Sequence, residues 1–239
     1  NLIMNQDVAP PKHHRPVGRP RADGKSHLTR QDVFLVSAKL IAQRGYSGAS
    51  IRMIAQELNA SAASIFHLFK TKAELLNGLI AFAAQPSLAF YANLRQLNLP
   101  PDSALFKSIY EETLLVASAD RDFASLFYLP ELRREEFAAA QSVRNDLVSH
   151  YKSLLRAAKK DGLIKLHHVD LAAEQIFQLS ETSIVASNAV DCIAPEDQAM
   201  ATARFVLAGL LAQPDRLAEV EKAARTIDLT INIQSFVAD

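Results

Sequence analysis

Cysteine is almost absent from this 239-residue chain, since Cys192 is the only one. A single cysteine excludes a disulfide framework within the chain and fits a reducing compartment. The sequence also lacks an apolar run near the roughly 20 residues that cross a bilayer, and its first residues lack the apolar core of a signal peptide. We therefore expect a cytoplasmic protein with no membrane segment.

Residues that break helices are few, because 7 Gly and 10 Pro stand against a hydrophobic fraction of 49%. Long stretches contain neither residue, which is typical of helices rather than of strands and turns. At this length the chain forms one larger domain, or a small domain joined to a bigger one. The composition predicts an all-α fold.

Residue patterns that carry catalysis or bind metals are also missing. No Gly-rich phosphate loop is present. The pairs His13–His14 and His167–His168 have no cysteine or carboxylate at a useful ligand spacing. The pairs Glu111–Glu112 and Glu135–Glu136 suit solvated helix faces, and Cys192 suits a small buried apolar position. The sequence predicts no catalytic residue, no metal ligand and no cofactor.

Charge is balanced overall but unevenly placed. Residues 1–72 hold 11 Lys and Arg against four Asp and Glu, a net charge of +7, and the rest of the chain therefore carries −7. A basic segment on an acidic body favours contact with a polyanion such as DNA, although chance also produces such an asymmetry.

Three segments follow from composition and apolar spacing. Residues 1–27 are rich in Pro, Gly and basic residues and predict a disordered basic arm. Residues 28–72 predict a compact unit of three short helices, and residues 73–239 predict a larger helical domain.

Capping residues place the first helices. Thr29 begins helix 1, which we expect to run over about 29–44 and to end at Gly45. Ser50 and Ser61 each cap a short helix, and Asn59 between these helices suits a tight turn because it tolerates left-handed dihedral angles.

A fourth, long helix begins after Thr71, which forms a capping-box pattern with Glu74. We expect this helix to end or kink near Pro86. The tail from Ile227 to Val237 is compatible with a strand, a coil or a short helix. Further helices are predicted at about 102–119, 122–128, 130–160, 169–190, 195–212 and 214–226.

Two short helices joined by a tight turn, braced by a preceding helix, are a device for entering the major groove of DNA. Apolar spacing over residues 50–68 leaves the small residues 61–64 and His67 on the outer face of the second short helix. Small side chains let that helix lie deep in the groove.

The runs Gly45-Tyr46, Ser50 to Ala55 and Ser61 to Leu76 closely resemble the N-terminal signature of TetR-family regulators. The resemblance covers about residues 29–80, roughly a fifth of the chain. Phe66 replaces a residue that is usually Tyr in the family, so the resemblance shifts phosphate contact toward His67, Thr71 and Lys72. Leu68 and Asn59 also depart from the family pattern.

The resemblance extends to the arm, where Gly18-Arg19-Pro20-Arg21 is similar to a minor-groove hook in some family members. Arg52 and His67 also have a simpler interpretation as solvated side chains, and Phe66 as a partly buried core residue. The predicted DNA-binding residues are Arg19, Arg21, Arg52, Ser61, Ala62, Ser64, Phe66, His67, Thr71 and Lys72.

The family resemblance further implies a homodimer that binds a palindromic operator and responds to a small effector. Helices 169–190 and 195–212 correspond to the family's dimer interface, and most family members are repressors that the effector releases. An apolar lining would favour an apolar or aromatic effector, although the default role of each aromatic residue is core packing. The predicted lining residues are Phe82, Phe106, Tyr110, Phe127 and Phe177. Two alternatives remain open at this stage, a helical enzyme and a helical protein–protein adaptor without operator binding.

Overall fold

The structure is a computed structural model that describes residues 28–119, 125–183 and 193–232. These residues form helices without a named strand, which confirms the predicted all-α class. The predicted arm at 1–27 and the end of the tail lie outside the described residues. The α-helices are α1 (Arg30–Gly48), α2 (Ile51–Glu57), α3 (Ala62–Leu68), α4 (Lys72–Gln96), α5 (Pro101–Ser118), α6 (Ala138–Lys160), α7 (Val169–Glu181), α8 (Pro195–Leu210) and α9 (Leu217–Arg225).

The predicted capping residues begin the first three helices. Thr29 accepts a hydrogen bond from the backbone N–H of Asp32 at 3.1 Å, and Asp32 accepts one from the N–H of Thr29 at 2.9 Å. Ser50 accepts from the N–H of Met53 at 3.2 Å. Each bond satisfies an N–H group that the first helical turn leaves without a partner.

Two residues with positive φ set the turns of this unit. Gly45 has a φ of 70° and interrupts α1 where the sequence predicts its end, although one further turn follows to Gly48. Asn59 has a φ of 48° between α2 and α3, as its tolerance of left-handed dihedral angles predicts. The turn therefore brings α3 across α2.

Pro86 does not end α4, which continues for ten more residues to Gln96. The prediction of an end there is wrong, because buried side chains on both sides of Pro86 hold the helix together. Leu79 and Ile80 pack before it, and Phe90 and Tyr91 pack after it. Among the described helices α4 alone is long and apolar enough to span a membrane, but its buried face packs into the core of the protein.

The segment before α6 differs from the predicted single helix over 130–160. Three short 3-10 turns cover Ser125–Tyr128, Pro130–Arg133 and Glu135–Phe137, and α6 begins only at Ala138. The side chain of Gln141 donates hydrogen bonds to the carbonyls of Leu132 and Arg134, at 2.7 and 3.2 Å, and holds this segment against α6. The helices predicted at about 102–119, 195–212 and 214–226 are confirmed to within a few residues. The helix predicted at 122–128 is instead a 3-10 turn over its described residues, Ser125–Tyr128. The helix predicted at 169–190 is observed as α7 up to Glu181, and residues 184–190 lie outside the described residues.

Two apolar clusters organise the molecule. One joins α1, α2, α3 and the first half of α4, and it also takes in Leu126, Phe137 and Ala140. The other joins the second half of α4 to α5 through α9. In that larger cluster α5 packs against α6, α7, α8 and α9. Residues 227–232 form a coil rather than a helix or a strand, and Ile231 donates its N–H to Glu111 at 3.1 Å.

Candidate DNA-binding surface and effector region

The outer face of α3 is the candidate DNA-binding surface. Ile65 is fully buried in the apolar cluster that α3 shares with α1 and α2, and Phe69 is buried just beyond the C-terminal end of α3. On the opposite face Ser61, Ala63 and His67 are exposed. Phe66 is 45% exposed, so this ring is a surface residue more than a core residue.

Two hydroxyls at the start of α3 are already engaged with each other. Ser61 accepts a hydrogen bond from the N–H of Ser64 at 3.1 Å, and their two hydroxyl oxygens are 2.8 Å apart. Ala62 and Ser64 are half-buried. The start of α3 is therefore small and rigid, which suits close approach to a groove wall.

Arg30 fixes the other end of α3, a contact that the sequence pattern did not reveal. Its guanidinium donates a hydrogen bond to the carbonyl of Leu68 at 2.9 Å and lies 4.2 Å from the ring centroid of Phe69. The contact satisfies a C-terminal carbonyl and places a positive charge at the negative end of the helix dipole. No local signal links Arg30 to residues 38 positions further along the chain.

Lys72 begins α4, where the family resemblance implies phosphate binding. Its ammonium donates a hydrogen bond to the carbonyl of Tyr46 and lies 4.2 Å from the centroid of the Tyr46 ring. Burial lowers the pKa of Lys72, and the charge of Glu131 partly opposes this shift. Lys72 therefore joins the start of α4 to the end of α1, in addition to any contact with DNA.

The remaining predicted DNA-binding residues occupy different places. Arg52 is exposed on α2. Thr71 is exposed, but its hydroxyl caps α4 by accepting from the N–H of Glu74 at 3.0 Å. Glu74 does not complete the capping box, because its carboxylate accepts from the N–H of Lys70 at 2.8 Å. Arg19 and Arg21 lie outside the described residues.

A polar bridge connects the surface to the larger helical part. The side chain of Asn77 on α4 donates to the carbonyl of Glu136 at 2.9 Å and accepts from the N–H of Ala140 at 3.0 Å. Beside it the ring of Tyr46 meets the ring of Phe137 edge-on, with centroids 5.3 Å apart. The start of α6 is therefore fixed to both α1 and α4.

The structure does not gather the five predicted effector-binding residues into one site. Phe106 and Tyr110 on α5 line a cavity of about 500 Å³ that α8, α9 and the following coil complete. Phe177 is buried on α7, and Phe127 packs against both apolar clusters. Phe82 lies near α1 instead, with its ring centroid 5.2 Å from that of Phe34.

The interior between α4, α5 and α6 is more polar than the sequence suggested. Glu112 accepts hydrogen bonds from the hydroxyls of Tyr91 at 2.7 Å and Ser87 at 3.1 Å. The Tyr91 hydroxyl is 3.3 Å from that of Tyr151, and the Tyr91 ring stacks on His150 with centroids 3.7 Å apart. Burial raises the pKa of Glu112, although the two hydrogen bonds oppose the shift.

The outer faces of α7 and α8 carry exposed apolar residues. Phe205 is 73% exposed and Leu171 is 56% exposed. Small residues flank Phe205 on the same face of α8 at Ala201, Ala208 and Gly209. Other small residues of these helices that were expected to allow close approach of a partner are instead buried within the chain, namely Ala172, Ala173, Ala199 and Ala203.

A helix-turn-helix surface on a larger helical body defines the class of helix-turn-helix transcriptional regulators. Residues 35–79 match the family profile of bacterial regulatory proteins of the tetR family, and residues 123–212 match that of the AefR-like transcriptional repressor C-terminal domain. The chain belongs to the TetR family of transcriptional regulators, as the sequence resemblance predicted.

Solved structures share this fold. AmtR of Mycobacterium smegmatis is 26% identical with a TM-score of 0.66, and the match covers 88% of this chain and 100% of AmtR. AibR in complex with isovaleryl coenzyme A and operator DNA is 19% identical with a TM-score of 0.64, covering 74% and 97%. FadR of Bacillus subtilis in complex with stearoyl-CoA is 18% identical with a TM-score of 0.64, covering 76% and 99%. No curated protein matches the chain.

Proposed function

We propose that this protein is a cytoplasmic repressor that binds a near-palindromic operator as a homodimer and is released by a small apolar or aromatic effector. The outer face of α3 carries this proposal. It is exposed, small at its start and fixed at both ends by Ser61 and Arg30, so it fits the major groove without rearranging.

Contacts with DNA divide into two groups. Ser64, Phe66 and His67 face outward from α3 and would contact base edges or adjacent sugars. Arg52, Thr71 and Lys72 lie on α2 and at the start of α4, where cations and free N–H groups suit phosphates. Arg19 and Arg21 would add a minor-groove contact from the arm.

Dimerisation is supported by the exposed apolar face of α7 and α8. A ring as large as Phe205 is rarely left 73% exposed at the centre of a small-residue face unless a partner covers it. A second copy of the chain supplies the same face by two-fold symmetry, and that symmetry is what pairs two α3 helices with a palindrome.

An effector site in the helical part is supported by the solved complexes of similar fold. AibR is solved in complex with isovaleryl coenzyme A, and FadR in complex with stearoyl-CoA. For this chain the proposed aromatic contacts come from Phe106, Tyr110 and Phe177, with Phe127 between the two apolar clusters and Phe82 nearer the DNA-binding surface.

Footprinting on the DNA that flanks the gene tests the proposal. We expect one protected near-palindrome whose affinity falls as the salt concentration rises. Substituting Ser64 or His67 by Ala should change the preferred sequence, because in this proposal these residues contact base edges. Absence of any salt-dependent binding to duplex DNA would contradict the proposal.

A further inference from the structure

A cavity of about 500 Å³ opens between α5, α8, α9 and the coil that follows α9. Pockets that hold small ligands in proteins measure about 300–1,000 Å³. Among the described residues none of the lining comes from α4, α6 or α7, so the cavity is separate from the polar interior around Glu112. The ligand that fits it depends on the floor, the walls and the rim of the cavity.

A buried ion pair forms the floor. Lys107 and Glu111 lie one turn apart on α5, are 7% and 3% exposed, and bring their charged atoms to 2.8 Å. The other carboxylate oxygen of Glu111 accepts from the N–H of Ile231, so both oxygens of Glu111 have a partner. An ammonium has three N–H donors, and Lys107 makes no further hydrogen bond within the part of the chain that the structure describes. Two donors of this buried ammonium therefore remain for a ligand.

The walls are apolar. Phe106 and Ala224 are buried, and three further side chains beside them are half-buried, namely Leu114, Met200 and Ile227. Covering such surfaces removes them from water, which favours binding of an apolar or aromatic body between the floor and the opening.

Tyr110 adds a polar group to one wall. The ammonium of Lys107 lies 6.0 Å from the centroid of the Tyr110 ring. The Tyr110 hydroxyl makes no hydrogen bond with the residues described. Burial and, after it, the charge of Glu111 raise the pKa of Tyr110. The phenol is therefore protonated at neutral pH and is a second donor beside Lys107.

The charges around the cavity favour a neutral ligand. The lining carries a net charge of −1, from the bases Lys107 and Arg225 and the acids Glu111, Glu196 and Asp197. The two acids at the rim repel an anion, and Lys107 at the floor repels a cation. A neutral molecule with a hydrogen-bond acceptor uses the donors of Lys107 without bringing a further charge into a buried place.

We propose that this cavity binds a neutral carbonyl compound, a ketone, ester or amide on an apolar or aromatic body, whose oxygen accepts a hydrogen bond from the ammonium of Lys107. The proposal rests on the proposed function, because it names the chemical class of the effector. Of the proposed aromatic contacts it uses Phe106 and Tyr110, which line this cavity.

Equilibrium dialysis of the full chain without DNA tests the class of ligand. The probe is 2-acetylnaphthalene, with 2-isopropenylnaphthalene as a hydrocarbon of the same shape and 2-naphthoate as an anion of similar shape. We expect the ketone to bind about tenfold or more tightly than the hydrocarbon, because only the ketone accepts from Lys107, and the anion to bind less tightly than the ketone. No binding of the ketone, equal binding of the hydrocarbon, or tighter binding of the anion would overturn the proposal.

A double substitution removes the ammonium without leaving a buried carboxylate alone. Lys107→Met keeps the apolar stem, and Glu111→Gln keeps an oxygen for the N–H of Ile231. In this variant the ketone and the hydrocarbon should bind equally. A merely structural role of the ion pair would weaken both probes by the same factor, so a ketone that keeps its advantage over the hydrocarbon would overturn the proposal.

Two variants on the exposed coil test the place of binding and leave the core unaltered. Thr230 is exposed and lines the cavity, so Thr230→Trp fills the opening. Asp228→Trp is the matched control, because it puts the same ring at an exposed position of the same coil outside the lining. We expect Thr230→Trp to weaken the ketone by about tenfold or more and Asp228→Trp to leave its affinity unchanged. Equal affinities of the two variants would place the ligand elsewhere and overturn the proposal.

Operator binding separates this inference from the proposed function. Thr230→Trp should bind the operator in a mobility-shift assay as the native chain does, because the cavity lies in the helical part and not against α3. Operator binding by the native chain without binding of the ketone refutes this inference alone. Absence of operator binding by the native chain refutes the proposed function, whatever the dialysis shows.

Discussion

Lys72→Met removes the ammonium that opens α4 and keeps most of the apolar stem. The bond to the Tyr46 carbonyl and the contact with its ring are lost together. A hydrogen bond from a charged donor contributes about 1.5–3 kcal/mol and a cation–π contact about 0.5–1 kcal/mol at exposed sites. Because this ammonium is only partly buried, solvent screening reduces the sum, and we expect a loss of about 1 kcal/mol in the free energy of unfolding.

The same substitution tests the phosphate contact. Each phosphate contact contributes about 0.9 to the slope of log affinity against log salt, so a dimer that loses two contacts should lose about 1.8 from that slope. The assay is fluorescence anisotropy with a labelled operator at four salt concentrations, beside a thermal melt without DNA. Lys70→Met is the matched control, because it removes an equal charge two residues away whose side chain has no partner among the described residues.

Either of two results with these variants would refute the reasoning. A lower melting temperature for Lys72→Met with an unchanged salt slope would mean that Lys72 only joins α4 to α1. Equal losses of slope for Lys70→Met and Lys72→Met would mean that general charge, rather than a site at the helix N-terminus, attracts the phosphate.

Three further substitutions test the contacts around the DNA-binding surface and the dimer face. Arg30→Ala should lower the free energy of unfolding by about 1 kcal/mol, because α3 loses its C-terminal partner, whereas Arg44→Ala on the same helix should leave a thermal melt unchanged; equal losses would contradict the capping role. Phe205→Glu should dissociate the dimer in sedimentation experiments by placing a charge in an apolar face, and an unchanged mass would remove α8 from the interface. Asn77→Ala should leave effector affinity intact but reduce the change in operator affinity that the effector causes. If that change is as large as in the native chain, the bridge to Glu136 and Ala140 is excluded as a route of coupling.

Local capping rules explain why the DNA-binding part was predictable. Ser50 and Ser61 satisfy N–H groups three residues away, and Asn59 sets the turn from its own dihedral preference. Such contacts span three or four residues, so short sequence patterns are enough to predict them. The helix starts, the turn and the outward face of α3 follow from them.

Contacts that span long stretches of sequence were not predictable in this way. Arg30 meets Leu68 and Asn77 meets Glu136, and neither pair leaves a local pattern. The end of α4 was mispredicted at Pro86 for a related reason. The rule that proline ends a helix is local, whereas the packing that continues α4 beyond Pro86 is tertiary. Phe137, the last residue of the 3-10 turns before α6, is likewise buried by contacts with residues far away in the sequence.

The five aromatic residues predicted to line an effector site do not lie together, because aromatic residues fill most helical cores. Phe82 and Phe106 carry the same apolar signal, yet the first packs near α1 and the second lines a cavity beside α8. Spacing along a helix predicts that a ring is inward, not which neighbour it meets. Glu112 was interpreted as part of a solvated face, and its burial becomes evident only when Ser87 and Tyr91 are placed beside it.

The two apolar clusters of the molecule share α4, and this helix therefore offers a route by which an effector could change DNA binding. Leu75 and Leu79 lie in the cluster that holds α3, and Ser87 and Tyr91 bond to Glu112 in the interior further along the same helix. In the proposed function, an effector that disturbs the bonds of Glu112 to Ser87 and Tyr91 would change what holds the second half of α4. Because α4 is a continuous helix, a tilt at Tyr91 moves its first turn, and with it α3. In a dimer the two α3 helices must match a fixed spacing on DNA, so a ligand that favours the other spacing by about 3 kcal/mol weakens operator binding by about 100-fold.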